Sequence, residues 1–515
     1  MIIRDVGKDG FRPGPAGRGP GRFFRLLDPW WAFGPFAGAA AGTLTAVRLF
    51  LPGPVGLADN GDGPQRMCAL NLVARVDPDS VPWFGFVNFG YVQAPPGACD
   101  PALTYPGSGQ WLLRIAHPLS HLLGLPGEFD LRALAVLFCA VVALAFTVFG
   151  AALRGRLPAR LLVCALLFLV AGDSAFAGYA ASPFSELAGL AGILLATAGA
   201  SHFGGRTWAR LAGLLVFTGG AVLAVASKTQ AATMAVPFAA LLLTVGIPLG
   251  RARGALARRV LPLLAAAVIG CTGVLTLSGQ AGELREINPT EVVFVGVLGH
   301  SDDPAADAVA LGLPADFAQY AGRSWWVPEP PQDDPRWPEV RDRMTYGNIA
   351  GFLLRHPVVA TRIPLAALGD FAAARPGYLG SYPVAAGHPS MAQESRLALY
   401  SSLLRYVGSA LLFVVLGLGV VGVRWWRTGA GSPRRRALAG MTVCLAGVSL
   451  VQFLTAAYGE SIENTKHLVY AILATGLAPV LAVAAAVCGS PAGPASGEVP
   501  APRQEPEGAV PVAAD

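Results

Sequence analysis

Polar and ionisable residues in this 515-residue chain gather at the ends of long apolar runs, and their types suit hydroxyl and phosphate chemistry. Asp59, Asn60 and Asp62 lie in Ala-Asp-Asn-Gly-Asp-Gly-Pro, with Arg66 shortly after. Asp173 stands alone near the end of another run, and Glu186 closes Ser-Pro-Phe-Ser-Glu. Lys228 and Gln230 share one short connection; Glu460, Glu463, Asn464, Lys466 and His467 share the last. An interfacial carboxylate can take a proton from a hydroxyl nucleophile. A nearby Lys or His can neutralise a phosphate leaving group. A pair of Asp residues could instead hold a divalent cation, Mg or Mn, through oxygen ligands.

Each piece also has a plainer reading. Asp-Asn-Gly-Asp-Gly-Pro is good turn chemistry, because Asn and Gly accept positive φ and Asp makes Asx turns. Ser182 and Ser185-Glu186 resemble a helix start. Lys228 could snorkel to an interface, and Lys466 and His467 could simply flank a span. Their convergence points to a site, since a charge in or beside a bilayer is costly.

The elements that must position these groups are membrane helices. The chain is 53% hydrophobic and only 14% charged, and its mean hydropathy is +0.51. A soluble domain carries about 25% charged residues, so an ordinary cytosolic enzyme and a disordered chain are both excluded. The net charge of +6 comes from short basic clusters between apolar runs, which points to a membrane and away from nucleic acid. Apolar stretches of about 18 residues or more cross a bilayer. They predict an all-α polytopic membrane protein of about ten transmembrane helices: 31–51, 132–152, 161–180, 184–201, 211–227, 231–249, 260–279, 400–423, 437–457 and 467–488. No internal repeat is present.

Basic residues set the expected sidedness. The clusters are Arg4 to Arg25; Arg154, Arg156 and Arg160; Arg206 and Arg210; Arg251, Arg253, Arg258 and Arg259; and Arg424, Arg427 and Arg434 to Arg436. With ten spans they all fall on one side, the cytoplasm, and so do both termini. The layout predicts a basic tail over 1–30 and a membrane module over 31–280 that includes a first outer loop, 52–131. It continues with an extracytoplasmic domain over 281–399, membrane helices over 400–488 and a disordered tail over 489–515. Amphipathic stretches at 303–321 and 345–373, with Trp325, Trp326 and Trp337, suit the membrane interface.

Cys68 and Cys99 share the first outer loop, an oxidising setting, where a disulfide would close a loop behind the acidic stretch. Two buried thiols are the alternative. His117 and His121 have the i, i+4 spacing of a metal pair, but Pro118 stands where a His-Glu-x-x-His motif needs Glu, so packing is the plainer reading. The glycine-rich strings carry no phosphate-loop pattern, which argues against a nucleotide-sugar donor.

The chain resembles GT-C superfamily membrane glycosyltransferases, and among them the bacterial glycan-biosynthesis hexose transferases (WsfD-like). Three stretches carry the resemblance, within a layout covering about 30 to 488. They are Asp59-Asn60-Gly61-Asp62 followed by Arg66-Met67; Asp173 with Tyr179 and the Ser182-to-Glu186 segment; and Glu463-Asn464-Thr465-Lys466-His467. The resemblance implies a lipid-linked (polyprenyl-phosphate) sugar donor, a glycan or glycolipid acceptor, and Asp59 or Asp62 as catalytic base, Asp59 being favoured as the one nearer the membrane. It implies acceptor or metal contact for Glu186 and donor-phosphate binding by Lys228 and Lys466, helped by His467, with Asn60, Arg66 and Gln230 as further substrate-binding residues. Protein O-mannosyltransferases carry an Asp-Glu pair in this loop and this chain does not, which leaves the acceptor class open. A polysaccharide polymerase or ligase would lean on late-loop groups such as Arg355, His356, Arg362 and Arg375. A transporter would place ionisable groups at the midplane, and a scaffold would need no converging polar groups.

Overall fold

The computed structural model describes residues 29–75, 84–99, 106–247, 258–280, 282–428 and 432–488. The expected tails over 1–28 and 489–515, and Arg251 and Arg253, lie outside the described residues.

The protein is an all-α polytopic membrane protein, with one small sheet among the described residues. Its main helices are α1 (Trp30–Phe50), α2 (Ser108–Leu122), α3 (Leu131–Ala152), α4 (Leu157–Ala171), α5 (Glu186–Ala200), α6 (Thr207–Val225), α7 (Ala235–Leu242) and α8 (Val260–Ser278). They continue as α9 (Gly282–Glu291), α10 (Tyr346–Arg355), α11 (Pro357–Ala373), α12 (Leu399–Val407), α13 (Ala410–Arg427), α14 (Pro433–Gly459) and α15 (Val469–Val487). Each of the ten predicted apolar stretches contains a helix, but they are not ten equal rods. Among the described residues, six helices (α3, α6, α8, α13, α14 and α15) are long and apolar enough to cross a membrane. The stretch read as 161–180 is α4 plus Ser174–Ala181, bent by 50°, a seventh span if counted as one. The break falls at Asp173, whose side chain accepts from Ala175 N–H and starts the second piece. The stretch read as 400–423 divides at Gly408, whose φ is +65°. α5 and Gln230–Leu242 are apolar but short. α5 is buried nearly all round, as a helix apolar on every face should be.

α5 and α15 form the core. α8 and α13 lie outside it and leave Leu264, Val268, Val274, Leu275, Phe413, Val414 and Val420 exposed. Lipid makes such faces inexpensive. α1 packs along α3 through Gly34, Gly38 and Gly42. A Cβ on Gly38 would lie 2.4 Å from the Ala143 carbonyl oxygen. Small residues four apart let helix backbones approach this closely in a membrane.

The basic connections meet at one end of the bundle. Arg210 Nη1 donates to the Gly246 carbonyl at 3.0 Å and Arg435 Nε to that of Ala485 at 3.1 Å.

The opposite end carries the two long loops. In the first, β1 (Leu72–Ala74), β2 (Gly90–Gln93) and β3 (Phe129–Asp130) form an antiparallel sheet in that order, with Val73 opposite Val92 and Tyr91 opposite Phe129. Cys68 and Cys99 are disulfide-bonded. The two loops are knitted together: Gly56 N–H donates to Ser381 O, Ala58 N–H to Gly380 O, and Gly380 N–H to Phe84 O. Arg48, at the end of α1, forms a buried ion pair with Glu394 of the second loop. The amphipathic stretches are broken where backbone chemistry demands it. Residues 303–321 divide at Gly312, with φ +82°. Residues 345–373 divide at His356, which Pro357 holds out of the helical region (φ −120°, ψ 68°). Trp337 is buried in the outer layer, where its Nε1 donates to Glu286 at 2.9 Å, and so does not face an interface.

Candidate functional site

A cavity of about 350 Å³ opens between the outer layer and the bundle. Asn60, Asp62, Arg66, Lys228, Lys466 and His467 line it, together with Glu291, Glu460, Glu463 and Trp326. This volume is within the range of small-ligand sites.

The first wall is the turn that starts at Asp59. Asp59 Oδ1 accepts from both Gly61 N–H and Gly63 N–H, each at 3.0 Å, an Asx turn closed twice. Gly61 supplies the positive φ, +107°. Asp59 is thereby turned into its own loop and does not line the cavity. Burial pushes its carboxyl up by more than the Gly63 and Gly61 amides lower it. Asp62, three residues on, faces the cavity. Burial would raise its carboxyl too, but Lys466 and then Arg66 hold it well below the usual carboxylate range.

The second wall is the connection between α14 and α15. Lys466 is almost fully buried, and its Nζ donates to Asp62 Oδ2 at 2.7 Å and Glu463 Oε2 at 3.2 Å. It also lies 4.7 Å from the centre of the Phe184 ring. Against its burial, Asp62 and Glu463 hold Lys466 well above the usual lysine value. Glu463 accepts from Asn60 Nδ2 at 2.8 Å and from Tyr378 Oη at 3.0 Å. Its φ of +49° and that of Ser461, +58°, place two non-glycine residues in the left-handed region. Such strain persists where surrounding contacts over-determine the backbone, often at functional sites.

The floor is built around Lys228. Its Nζ donates to Glu186 Oε1 at 3.1 Å and lies 2.7 Å from His467 Nδ1. Burial opposes the charge, but Glu186 and Glu460 raise Lys228 above its usual value. His467 Nδ1 also lies 2.7 Å from Glu460 Oε2 and 3.2 Å from Gln230 Oε1. One ring nitrogen cannot serve all three neighbours. It accepts from Lys228 when unprotonated and donates to a carboxylate or amide when protonated. Burial would raise Glu460, but His467 and Lys228 bring it down to about 2. Glu186 and Gln230 do not line the cavity. Glu186 holds Lys228 from behind, and Gln230 Nε2 donates to the His467 carbonyl at 2.7 Å.

The third wall was not anticipated from the sequence. Leu284, Ile287, Asn288 and Glu291 of α9 line the cavity, at the i, i+3, i+4, i+7 spacing of one helical face. Glu291 is 1% exposed. Its Oε1 accepts from Ser324 Oγ and Trp325 N–H, both at 2.8 Å, while its buried Oε2 has no hydrogen-bond partner. Burial pushes this carboxyl up to about 7. The π-helical turn Val292–Val297 follows directly, a distortion frequent at functional sites. Trp326 offers an exposed ring at the mouth. The polar pattern Asn288-x-x-Glu291 on an otherwise apolar face was the available signal.

Other expectations resolve differently. Asp173 Oδ2 accepts from Tyr400 N–H and Ser401 N–H at 2.9 and 3.1 Å, so it ties α12 to the bend and does not face the cavity. Arg355, His356, Arg362 and Arg375 do not line the cavity either. A divalent cation fits poorly. The acids here are interleaved with lysines, and among the described residues no three cavity ligands come close enough to share an ion.

No curated protein and no solved structure matches the chain. The family model of the YfdI N-terminal transmembrane domain matches residues 37–487. This polytopic bundle, whose two long loops knit together over a polar cavity and which is matched over most of its length, belongs to the YfdI N-terminal transmembrane domain family.

Proposed function

We propose that the chain is a GT-C-type membrane glycosyltransferase, one that moves a hexose from a polyprenyl-phosphate donor to an extracytoplasmic glycan or glycolipid acceptor. The observation that carries this reading is the pair between buried Lys466 and partly exposed Asp62 at 2.7 Å, lining a cavity beside Lys228 and Arg66. It joins a phosphate-binding cation and a base in one contact. The basic connections at the far end of the bundle support a cytoplasmic far end and an extracytoplasmic cavity, with both termini cytoplasmic. The narrower likeness to WsfD-like hexose transferases belongs to this proposal.

The chemistry follows from the charges. The donor phosphodiester carries one negative charge and gains a second as its bond to the sugar breaks. Fixed ammonium groups therefore favour the leaving phosphate over the bound donor, which is how binding becomes rate. Lys466 already spends its donors on Asp62 and Glu463. A phosphate drawn to Lys466 competes with Asp62 and leaves that carboxylate free. Asp62 then takes the proton of the acceptor hydroxyl, whose oxygen attacks the anomeric carbon. The carbon–phosphate oxygen bond breaks with its electron pair on the phosphate, and the configuration inverts. Lys228, held by Glu186, steadies the phosphate from the floor. Glu291 Oε2 and Trp326 suit a sugar, one through a hydroxyl hydrogen bond and the other through ring contact.

The test is donor turnover by the full chain in lipid nanodiscs, with a polyprenyl-phosphate hexose and membrane glycolipid extract. Release of polyprenyl phosphate that falls by about 10²–10⁴-fold in Asp62→Asn supports the reading. Equal release by wild type and Asp62→Asn overturns it.

A further inference from the structure

A second group of ligand-type side chains lies away from this cavity, on the first outer loop. His117 and His121 are one turn apart near the end of α2, which leads into a turn with Gly124 at φ +63° and Gly127 at φ +84°. A Cβ on Gly127 would meet the Tyr91 carbonyl oxygen at 3.0 Å. The chain thus doubles back at this point, and Glu128 N–H is fixed to Tyr91 O at 3.1 Å. The consequence is that Glu128 Oε1 lies 3.5 Å from His117 Nε2 and 3.7 Å from His121 Nε2. The three ligand atoms lie within 4.8 Å of one another. The two imidazoles meet edge to face at 5.2 Å, and His117 also packs against Phe129 at 6.0 Å. His117 Nε2 is buried and has no hydrogen-bond partner.

Zinc takes imidazole nitrogen at about 2.0–2.1 Å and carboxylate oxygen at about 2.0–2.2 Å, so tetrahedral ligand atoms stand roughly 3.3–3.5 Å apart. The two His–Glu separations, 3.5 and 3.7 Å, are close to that before any ion pulls the groups together, and the third pair lies within 4.8 Å. We propose that His117, His121 and Glu128 bind one divalent transition-metal ion of the zinc class, with a fourth position left for water. Two imidazoles and one carboxylate disfavour Mg and Ca, which prefer all-oxygen shells. The ion clips the end of α2 to the turn that enters β3 and α3. It lies apart from the catalytic proposal and stands whether or not that proposal holds. The sequence hid the site because its third ligand comes from beyond the turn and not from the helix.

The test uses the full chain, free of any polyhistidine tag, purified in detergent and stripped with chelator. Zinc chloride is titrated calorimetrically, and X-ray absorption is recorded on the loaded protein. The expected result is one equivalent bound, with two imidazole nitrogens and carboxylate oxygen around zinc. Loss of even an outer-shell partner weakens metal sites about 10–100-fold, so His121→Ala and Glu128→Gln should each weaken binding at least that much. Zinc should raise the melting temperature of wild type but of neither variant. The absence of stoichiometric binding, or equal binding by wild type and Glu128→Gln, overturns the proposal. His121 and Glu128 are each two-fifths exposed or more, so neither replacement empties a core.

Discussion

Asp59 and Asp62 are three residues apart and hold opposite stations. Asp59 Oδ1 closes its own turn through two amides, and Asn can keep that arrangement with its own carbonyl oxygen. Asp59→Asn is therefore expected to retain transfer within a few-fold, whereas Asp62→Asn loses it; initial rates on the two variants check this directly. Glu291 makes a different prediction. Its folded-state carboxyl is raised from 4.5 to about 7. The stability this lends is complete below the unfolded value and is lost as pH rises through the folded one. The loss is at most about 3 kcal/mol. Melting temperature should fall between pH of about 5 and about 8 in wild type, and Glu291→Gln should remove that component. An identical pH profile in both would show that Glu291 stays ionised.

At the residue scale, Lys228, Lys466 and His467 were legible because charge at the end of an apolar run demands a partner. At Asp59 turn chemistry and base chemistry use the same side chain, and the sequence does not show which way its oxygen points. Glu291 was missed because its partners, Ser324 and Trp325, lie a full loop away.

At the scale of elements, close helix contacts hold the cavity walls in place. Gly34, Gly38 and Gly42 let α1 lie on α3, and α1 ends at the Arg48–Glu394 ion pair beneath the outer layer. Gly38→Leu should force the helices apart and destabilise the protein by about 1–3 kcal/mol or more. The check is thermal unfolding in detergent against Gly270→Leu on α8, where a Cβ meets nothing within 4 Å. Equal losses in the two variants would contradict the account. Helix positions were readable from apolarity alone, whereas the 50° bend at Asp173 was not. A span built from two pieces has the same composition as one straight rod, and the cap that divides it draws on Tyr400 and Ser401 from a distant helix.

At the scale of the molecule, charge is sorted to the two ends of the bundle. That predicts opposite accessibilities. In a background free of other thiols, cysteine at Glu329, 86% exposed on its side chain in the outer layer, should react with impermeant maleimide in intact cells. Cysteine at Arg156, exposed in the basic connection before α4, should react only after permeabilisation. The reverse pattern would invert the topology and put the cavity in the cytoplasm. The outer layer itself was beyond reach of sequence patterns. Its order comes from pairings such as Ala58 to Gly380, joined across hundreds of residues by backbone alone.

Sugar transfer with Asp62 as base is read in the envelope glycan composition of cells that lack the protein, complemented with wild type or with Asp62→Asn. One hexose should disappear on deletion, return with wild type and stay absent with a membrane-inserted Asp62→Asn. A glycan profile unchanged by deletion, or fully restored by Asp62→Asn, would contradict the account.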